Sequence, residues 1–323
     1  MVNENQPKVV VLGGGTGMPV LLKGLKNYPI DLSTIVTVAD DGGSTGQLRK
    51  EIDIPAPGDI RNVIAALSNA DEELNALFQH RFKVDNGLAG HSLGNLVLAA
   101  MNSLTGDFYT AVDKVSEIFH VKGNILPIVN ESIVLHAEMT DGSIVTGESN
   151  IPIKHKTIRR IFITPDKIQP NPKVVHAIHD ADLIVISPGS LYTSILPNLI
   201  ISGVADAIKT TNANVVYVSN IMTQLGETEG YTATDHVEAI YRHIGQDTID
   251  EVIVHDQPIN QNILALYEEE QSVPVTYDRE RLKSLTLEVL EEDIIEYSDK
   301  MIRHDTKKLA KILYNIAYSQ MKK

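Results

Sequence analysis

The 323-residue chain contains no cysteine. Disulfides, thiolate metal sites and a cysteine nucleophile are therefore excluded. Positive charge is also scarce, with 28 Lys and Arg against 42 Asp and Glu and a net charge of −14. Nucleic acid is a poor match for such a balance, because phosphate backbones require a basic face. A small phosphorylated ligand, which needs only a local positive site, stays open. No apolar run approaches the length of a membrane span, and the stretch Met1–Pro7 is polar, so a cytoplasmic protein is expected. The eleven histidines show no H-E-x-x-H or comparable spacing. His176 and His179 share a helix face without a third ligand, so no structural zinc is expected. No G-x-S-x-G elbow and no Ser/His/Asp grouping points to hydrolysis.

What is present is a pair of glycine-rich turns, each directly after an apolar strand. Gly13-Gly14-Gly15-Thr16-Gly17 follows Lys8–Leu12, and Ser187-Pro188-Gly189-Ser190 follows Asp182–Ile186. A strand ending in small residues that open a helix presents bare N–H donors at the positive end of that helix, where phosphate binds. The first turn reads G-x-G-x-G; it is neither the full dinucleotide fingerprint nor a P-loop, whose Lys-Ser/Thr ending it lacks. A ligand-free tight turn explains the same residues; the early position after a buried strand favours phosphate contact.

Strand patterns recur at about 8–12, 33–38, 182–186, 214–219, 251–254 and 285–290. Helical patterns lie at about 17–27, 71–82, 92–104, 108–119, 198–210, 235–244, 259–270 and from 306. This alternation predicts an α/β fold with a doubly wound, mainly parallel sheet. A β-rich section over about 124–164, with Thr140–Ser143 as a hairpin turn, reads as an added layer or an edge of the sheet. No linker or repeat divides the chain, so one domain over 1–323 is expected.

Asp40 and Asp41 end the second strand, where a dinucleotide-binding acid holds a ribose hydroxyl. The small residues Gly42–Gly46 that follow read as a second anion turn, so the acid pair could equally hold Mg²⁺ on a diphosphate, or simply shape the turn. Asp59 reads as the N-cap of the next helix, with Arg61 near the sheet edge as a fork for phosphate. His91 and Asn95 flank a helix start capped by Ser92; Gly94 in that helix implies a close approach by backbone or ligand. Asp40, Asp41 and His91 are the candidate catalytic groups. Thr193, Asn220 and Gln224 supply hydroxyl and amide groups at later strand ends. Lys154, Lys156, Arg159 and Arg160 read as a solvated strand face. Arg303 precedes the last helix and could reach an anion; Asp305 or Thr306 would cap that helix, and phosphate on Thr306 would sit well at its start.

In chain order, these motifs resemble the gluconeogenesis factor family, the YvcK-type relatives of 2-phospho-L-lactate transferase (CofD). The resemblance runs from about residue 8 to 315. It rests on VVVLGGGTG, VADDGGSTG, PGDIRN, GHSLGNL, SPGSLYTSILPNL, NIMTQ and the Arg303 block. It implies a Rossmann-like CofD-type fold. It also implies binding of a UDP-sugar, UDP-N-acetylglucosamine or UDP-glucose, and a role in growth and cell shape on gluconeogenic carbon sources. The ligand set would be Gly13, Gly14, Gly15, Thr16, Gly17, Asp40, Asp41, Arg61, Asn95, Ser187, Gly189, Ser190, Thr193, Asn220, Gln224 and Arg303. The transferase branch implies Mg²⁺ at Asp40 and Asp41 and a nucleotide-linked donor. The extended Asp-Asp-Gly-Gly-Ser-Thr-Gly form departs towards the gluconeogenesis-factor branch. An NAD dehydrogenase rests on the first turn and Asp40 alone. A homodimer, with protein partners not yet identified, is the default expectation.

Overall fold

The structure is a computed structural model that describes residues 6–83, 87–269, 271–285, 287–298 and 301–322, apart from the Glu268 side chain. The polar stretch 1–5 and positions 270 and 286, which fall in the expected helix and strand near them, lie outside the described residues.

Twelve strands are present among the described residues. They are β1 (Lys8–Gly13), β2 (Asp31–Val36), β3 (Asn124–Pro127), β4 (Val134–Met139), β5 (Ile144–Thr146) and β6 (Ile158–Thr164). The chain continues with β7 (Leu183–Ile186), β8 (Asn214–Val218), β9 (Glu251–His255), β10 (Glu288–Glu292), β11 (Ile295–Ser298) and β12 (Met301–His304). Seven of these form a parallel sheet in the order β10-β9-β8-β7-β1-β2-β3. The central strands β1 and β7 are almost wholly buried and read as continuous apolar runs, because helices cover both faces. The order winds outwards in both directions from the β1–β7 pair, which makes their carboxyl ends a topological switch point. Both glycine turns therefore meet at one crevice.

The β-rich section divides. β3 joins the edge of the main sheet, while β4, β5 and β6 form a separate antiparallel sheet in the order β5-β4-β6. The hairpin expected at Thr140–Ser143 joins β4 to β5, with Gly142 at φ +82°. One buried cluster unites Val11 of β1, Leu135 of β4, Val216 of β8 and Leu313 of the last helix.

Several elements differ from the sequence expectation. The run read as a turn at Gly42–Gly46 opens a helix, Gly43–Glu51, whose buried Leu48 packs with Ile54 and Ala99. Glycine disfavours that helix locally, and packing overrides it. The helix expected over 198–210 is two pieces. A π-turn at Leu191–Ile195 continues as Leu196–Leu199, and the second piece, Val204–Thr210, starts after Gly203 at φ +83°. The β11–β12 hairpin ahead of the last helix carries no strong alternation and was not anticipated. The last helix, Thr306–Gln320, is capped by Asp305, whose Oδ1 accepts from the N–H groups of Lys307 and Lys308 at 3.0 Å each.

Candidate functional site at the switch point

The first turn is small because it is wedged. A Cβ on Gly14 would lie 2.6 Å from Asp59 Oδ2 and 2.7 Å from Thr37 Cγ2. One on Gly17 would lie 2.4 Å from the Pro188 carbonyl oxygen of the second turn. Gly15 adopts φ +65°, a region open to glycine, and its N–H donates to Asp59 Oδ2 at 2.8 Å. Asp59 is thus not the N-cap expected of it. The helix is Gly58–Leu67 with Pro57 at the cap, and the Asp59 side chain turns away to bind the glycine turn. Burial pushes its carboxyl up to about 6, against the pull of the Gly15 N–H.

Thr16 caps the helix Gly17–Leu25 by position, yet its side chain makes no capping bond. It opens with Lys23, Asn62 and Arg303 onto a cleft of 450 Å³. Arg303, exposed on β12, therefore stands over the first turn, brought there by the unforeseen hairpin. Thr306 sits close by: its carbonyl oxygen would be 2.4 Å from a Cβ on Gly24 of the helix Gly17–Leu25.

The donors of the second turn are met from within the protein. Gly189 N–H donates to Asn220 Oδ1 at 3.1 Å, and Asn220 Nδ2 donates back to the Gly189 carbonyl at 2.7 Å. The helix start that follows holds Glu227, which accepts from Tyr192 N at 3.0 Å and from Thr193 Oγ1 at 2.8 Å. Gln224 Nε2 adds a third bond to it at 3.2 Å. An internal carboxylate thus occupies the anion position at this helix end. Burial pushes Glu227 up to about 7. Asn198 Nδ2 donates to the Gly13 carbonyl at 3.0 Å and ties the two turns together. Ser187 is fully buried, with its hydroxyl against Gly13. Gly189, Thr193, Asn220 and Gln224 hold the second turn in shape; Ser190 remains half-exposed at the crevice.

Asp40 and Asp41 turn apart. Asp40 Oδ1 accepts from Gly42 N at 2.8 Å, and Asp41 Oδ1 accepts from Ser149 N at 2.9 Å. Arg49 fastens this corner, donating to the carbonyls of Ala39, Asp40 and Ile133. Glu148, on the segment between β5 and β6, faces the same corner. Burial and then Asp40, Glu227, Asp41 and Asp59 push its carboxyl up to about 8.

Asp40 also lines a second cleft, of 270 Å³, with Gly42–Thr45, Asp59, Arg61, Asn62, Arg81 and Asn95. His91 is buried beside it; its Nδ1 lies 3.1 Å from Ser44 Oγ, which Asn95 Nδ2 also approaches at 3.2 Å. The close approach expected at Gly94 is made by backbone and by the Arg61 side chain: a Cβ there would lie 2.7 Å from the Phe78 carbonyl oxygen and 2.8 Å from Arg61 Cγ. A larger cleft, of 510 Å³, opens at the opposite edge of the sheet among Lys8, Asp31 and Asn124. Ion pairs Lys8–Asp180 and Lys173–Asp113 cross its rim, and it lies away from the strand carboxyl ends where α/β ligands bind.

The profile described as 2-phospho-L-lactate transferase CofD matches residues 9–295. The chain belongs to the CofD family. Within it, the chain groups with the gluconeogenesis factors. It is 51% identical to the Bacillus subtilis "Gluconeogenesis factor" over 311 residues, 96% of this chain and 98% of that one. It is likewise 51% identical to that of Halalkalibacterium halodurans over 305 residues, 94% of this chain and 95% of that one. A crystal structure of a Bacillus halodurans protein, described as a member of the UPF0052 family, superposes with a TM-score of 0.94 at 50% identity. It covers 95% of this chain and 99% of that one. The CofD fold expected from the motifs is therefore the fold present.

Sequence reasoning missed Asp59 as a turn-holding acid, Arg49, Arg81 and Glu148 altogether, and the inward role of Glu227, which it reads only within a polar stretch, Ser219–Gln224 and Gly226–Thr228, placed to meet a base or sugar. Glu227 carried one readable signal: an acid in an amide- and hydroxyl-rich stretch after β8. Arg81 carried none, because only the fold brings its loop to Arg61.

Proposed function

We propose that this CofD-family chain is a gluconeogenesis factor that binds a UDP-sugar, UDP-N-acetylglucosamine or UDP-glucose, at the switch point. The observation that carries this reading is the uncapped helix end that follows the first turn, beside the Gly15 N–H that Asp59 holds. Thr16 leaves its helix end free of a side-chain cap, and Lys23 and Arg303 supply cations across the same cleft. A diphosphate matches that combination. The bound state reports sugar-nucleotide supply to protein partners, in the cytoplasm and as a homodimer, and supports growth and cell shape on gluconeogenic carbon. Among the described residues no single helix is long and apolar enough to cross a membrane.

A thermal-shift series with UDP-N-acetylglucosamine, UDP-glucose, GDP and NADH, each with and without Mg²⁺, tests the reading. A ligand that binds only the folded state raises its stability. A selective shift with a UDP-sugar, lost in the double variant Gly15→Ala/Thr16→Val, is the expected result. A shift with NADH alone would overturn it.

The CofD profile supports a second reading, a Mg²⁺-dependent transferase using a nucleotide-linked donor. Asp40 and Asp41 do not converge as ligands here, being turned to Gly42 and Ser149. Among the described residues no group of three or more His, Asp or Glu is arranged to hold a metal. No step is therefore assigned to Mg²⁺. A shift with GDP only in the presence of Mg²⁺ would favour this reading.

A further inference from the structure

The cleft beside Asp40 brings together three features with one chemical meaning. The first is the start of the helix Gly43–Glu51. Its cap is Gly42, no side chain caps it, and its first turn carries no acid. Asp40 is spent on the N–H of Gly42, one residue before that turn. The amides of Gly43, Ser44 and Thr45 thus begin a nine-residue helix with its positive end towards the cleft.

The second feature is Arg61. It is 8% exposed, and its Nε has no hydrogen-bond partner among the described residues. Its stem lies over Gly94, and its Nη2 donates to Asn62 Oδ1 at 2.7 Å. A buried guanidinium with an unused donor is costly unless something charged completes it. The third feature is Arg81, on the facing loop and held by the Gly90 carbonyl at 2.5 Å. Its charge is near enough to repel that of Arg61. In a chain of net charge −14, two guanidiniums and an uncapped helix end face one cleft whose two lining carboxylates, Asp40 and Asp59, also act on Arg61. Asp59, the other carboxylate lining the cleft, is committed to Gly15 N.

We infer that the Gly43 helix end, Arg61 and Arg81 form a seat for a phosphoryl group, separate from the first glycine turn. It deepens the nucleotide-sugar reading and rests on it for its larger context, because Asn62 lines both clefts and joins them. The phosphoryl group comes from one of two sources: the diphosphate of the nucleotide sugar, reaching past Asn62, or a second phosphorylated metabolite beside it.

Inorganic pyrophosphate is the probe, titrated calorimetrically into the full chain at low salt. Binding to the unmodified protein is expected, weakened about tenfold or more in Arg81→Gln and in Arg61→Met, since each removes a charge-assisted hydrogen bond. Arg81 is exposed, so its variant keeps the fold; Arg61→Met keeps a stem over Gly94. Circular dichroism checks both. No binding to the unmodified protein, or equal binding to the Arg61→Met/Arg81→Gln double variant, would overturn the seat. Displacement of pyrophosphate by UDP-N-acetylglucosamine supports the seat with the nucleotide sugar as source; simultaneous binding supports it with a second metabolite as source. Pyrophosphate binding that needs both arginines, without any UDP-sugar binding, would leave the seat standing and remove the nucleotide-sugar reading. UDP-sugar binding with no pyrophosphate site would do the reverse.

Discussion

Replacing Asp59 with Asn should stabilise the protein near neutral pH, by an amount that shrinks on acidification. The Asp59 carboxyl, pushed up by burial from 3.8 to about 6, is charged at pH 7.5 in a place that disfavours the charge. A folded-state value above the unfolded one means that the folded chain holds the proton more tightly. Stability carried by this group therefore rises as pH falls through 6, and the charged form is a burden above it. With those two values, linkage gives a burden of about 3 kcal/mol at pH 7.5 and about 1.5 kcal/mol at pH 5. Asp59 keeps partial contact with solvent at the cleft, so both figures are upper bounds. Asn retains an oxygen to accept from Gly15 N–H and carries no charge. For a chain of this length, 3 kcal/mol corresponds to about 4 °C in Tm. Glu227 and Glu148 titrate in the same direction, at about 7 and about 8, so the quantity to follow is the difference between variant and parent. Differential scanning calorimetry at pH 7.5 and pH 5 would measure it. Asp59→Ala, which also strands the Gly15 N–H, should fall below Asp59→Asn by about 1–3 kcal/mol. An Asn variant less stable than its parent at pH 7.5, by a margin that does not change at pH 5, would refute the reasoning.

Three further outcomes follow from the packing of the turns. Gly17→Ala drives a Cβ to 2.4 Å from the Pro188 carbonyl, a backbone atom, and should cost about 1–3 kcal/mol in urea unfolding. Asn220→Ala strips both bonds from Gly189 and should cost a similar amount, about 1–3 kcal/mol, while loosening the second turn towards proteolysis. Asp305→Ala removes the acceptor for two N–H groups of the last helix and should lower stability by about 1 kcal/mol, read from the thermal midpoint.

Much of this protein was legible residue by residue. Strands β1 and β7 and the turns after them were readable because an apolar run followed by glycines has one local solution: a buried parallel strand feeding a helix. The alternation of strands and helices likewise implied a doubly wound sheet. What neighbours do to one another was not legible. Asp59 looks like a cap in sequence because capping is a local habit, yet a longer-range donor, Gly15, claims it. Gly42–Gly46 looks like a turn because glycine lowers helix propensity, yet burial of Leu48 outweighs that. The second glycine turn offers donors to any anion when read alone; only the fold brings in Asn220 to take the Gly189 N–H and Glu227, 34 residues beyond Thr193, to take the donors of the helix start after it. Strand patterns and turn chemistry act over a few residues, so the sequence by itself determined the mainly parallel sheet and the two glycine turns at its strand ends. Strand order and which charges face which are matters of distance in space, so only the tertiary structure decided where the switch point lies, that Arg303 stands over the first turn, that Glu227 fills the helix start after the second, and that Arg61 meets Arg81.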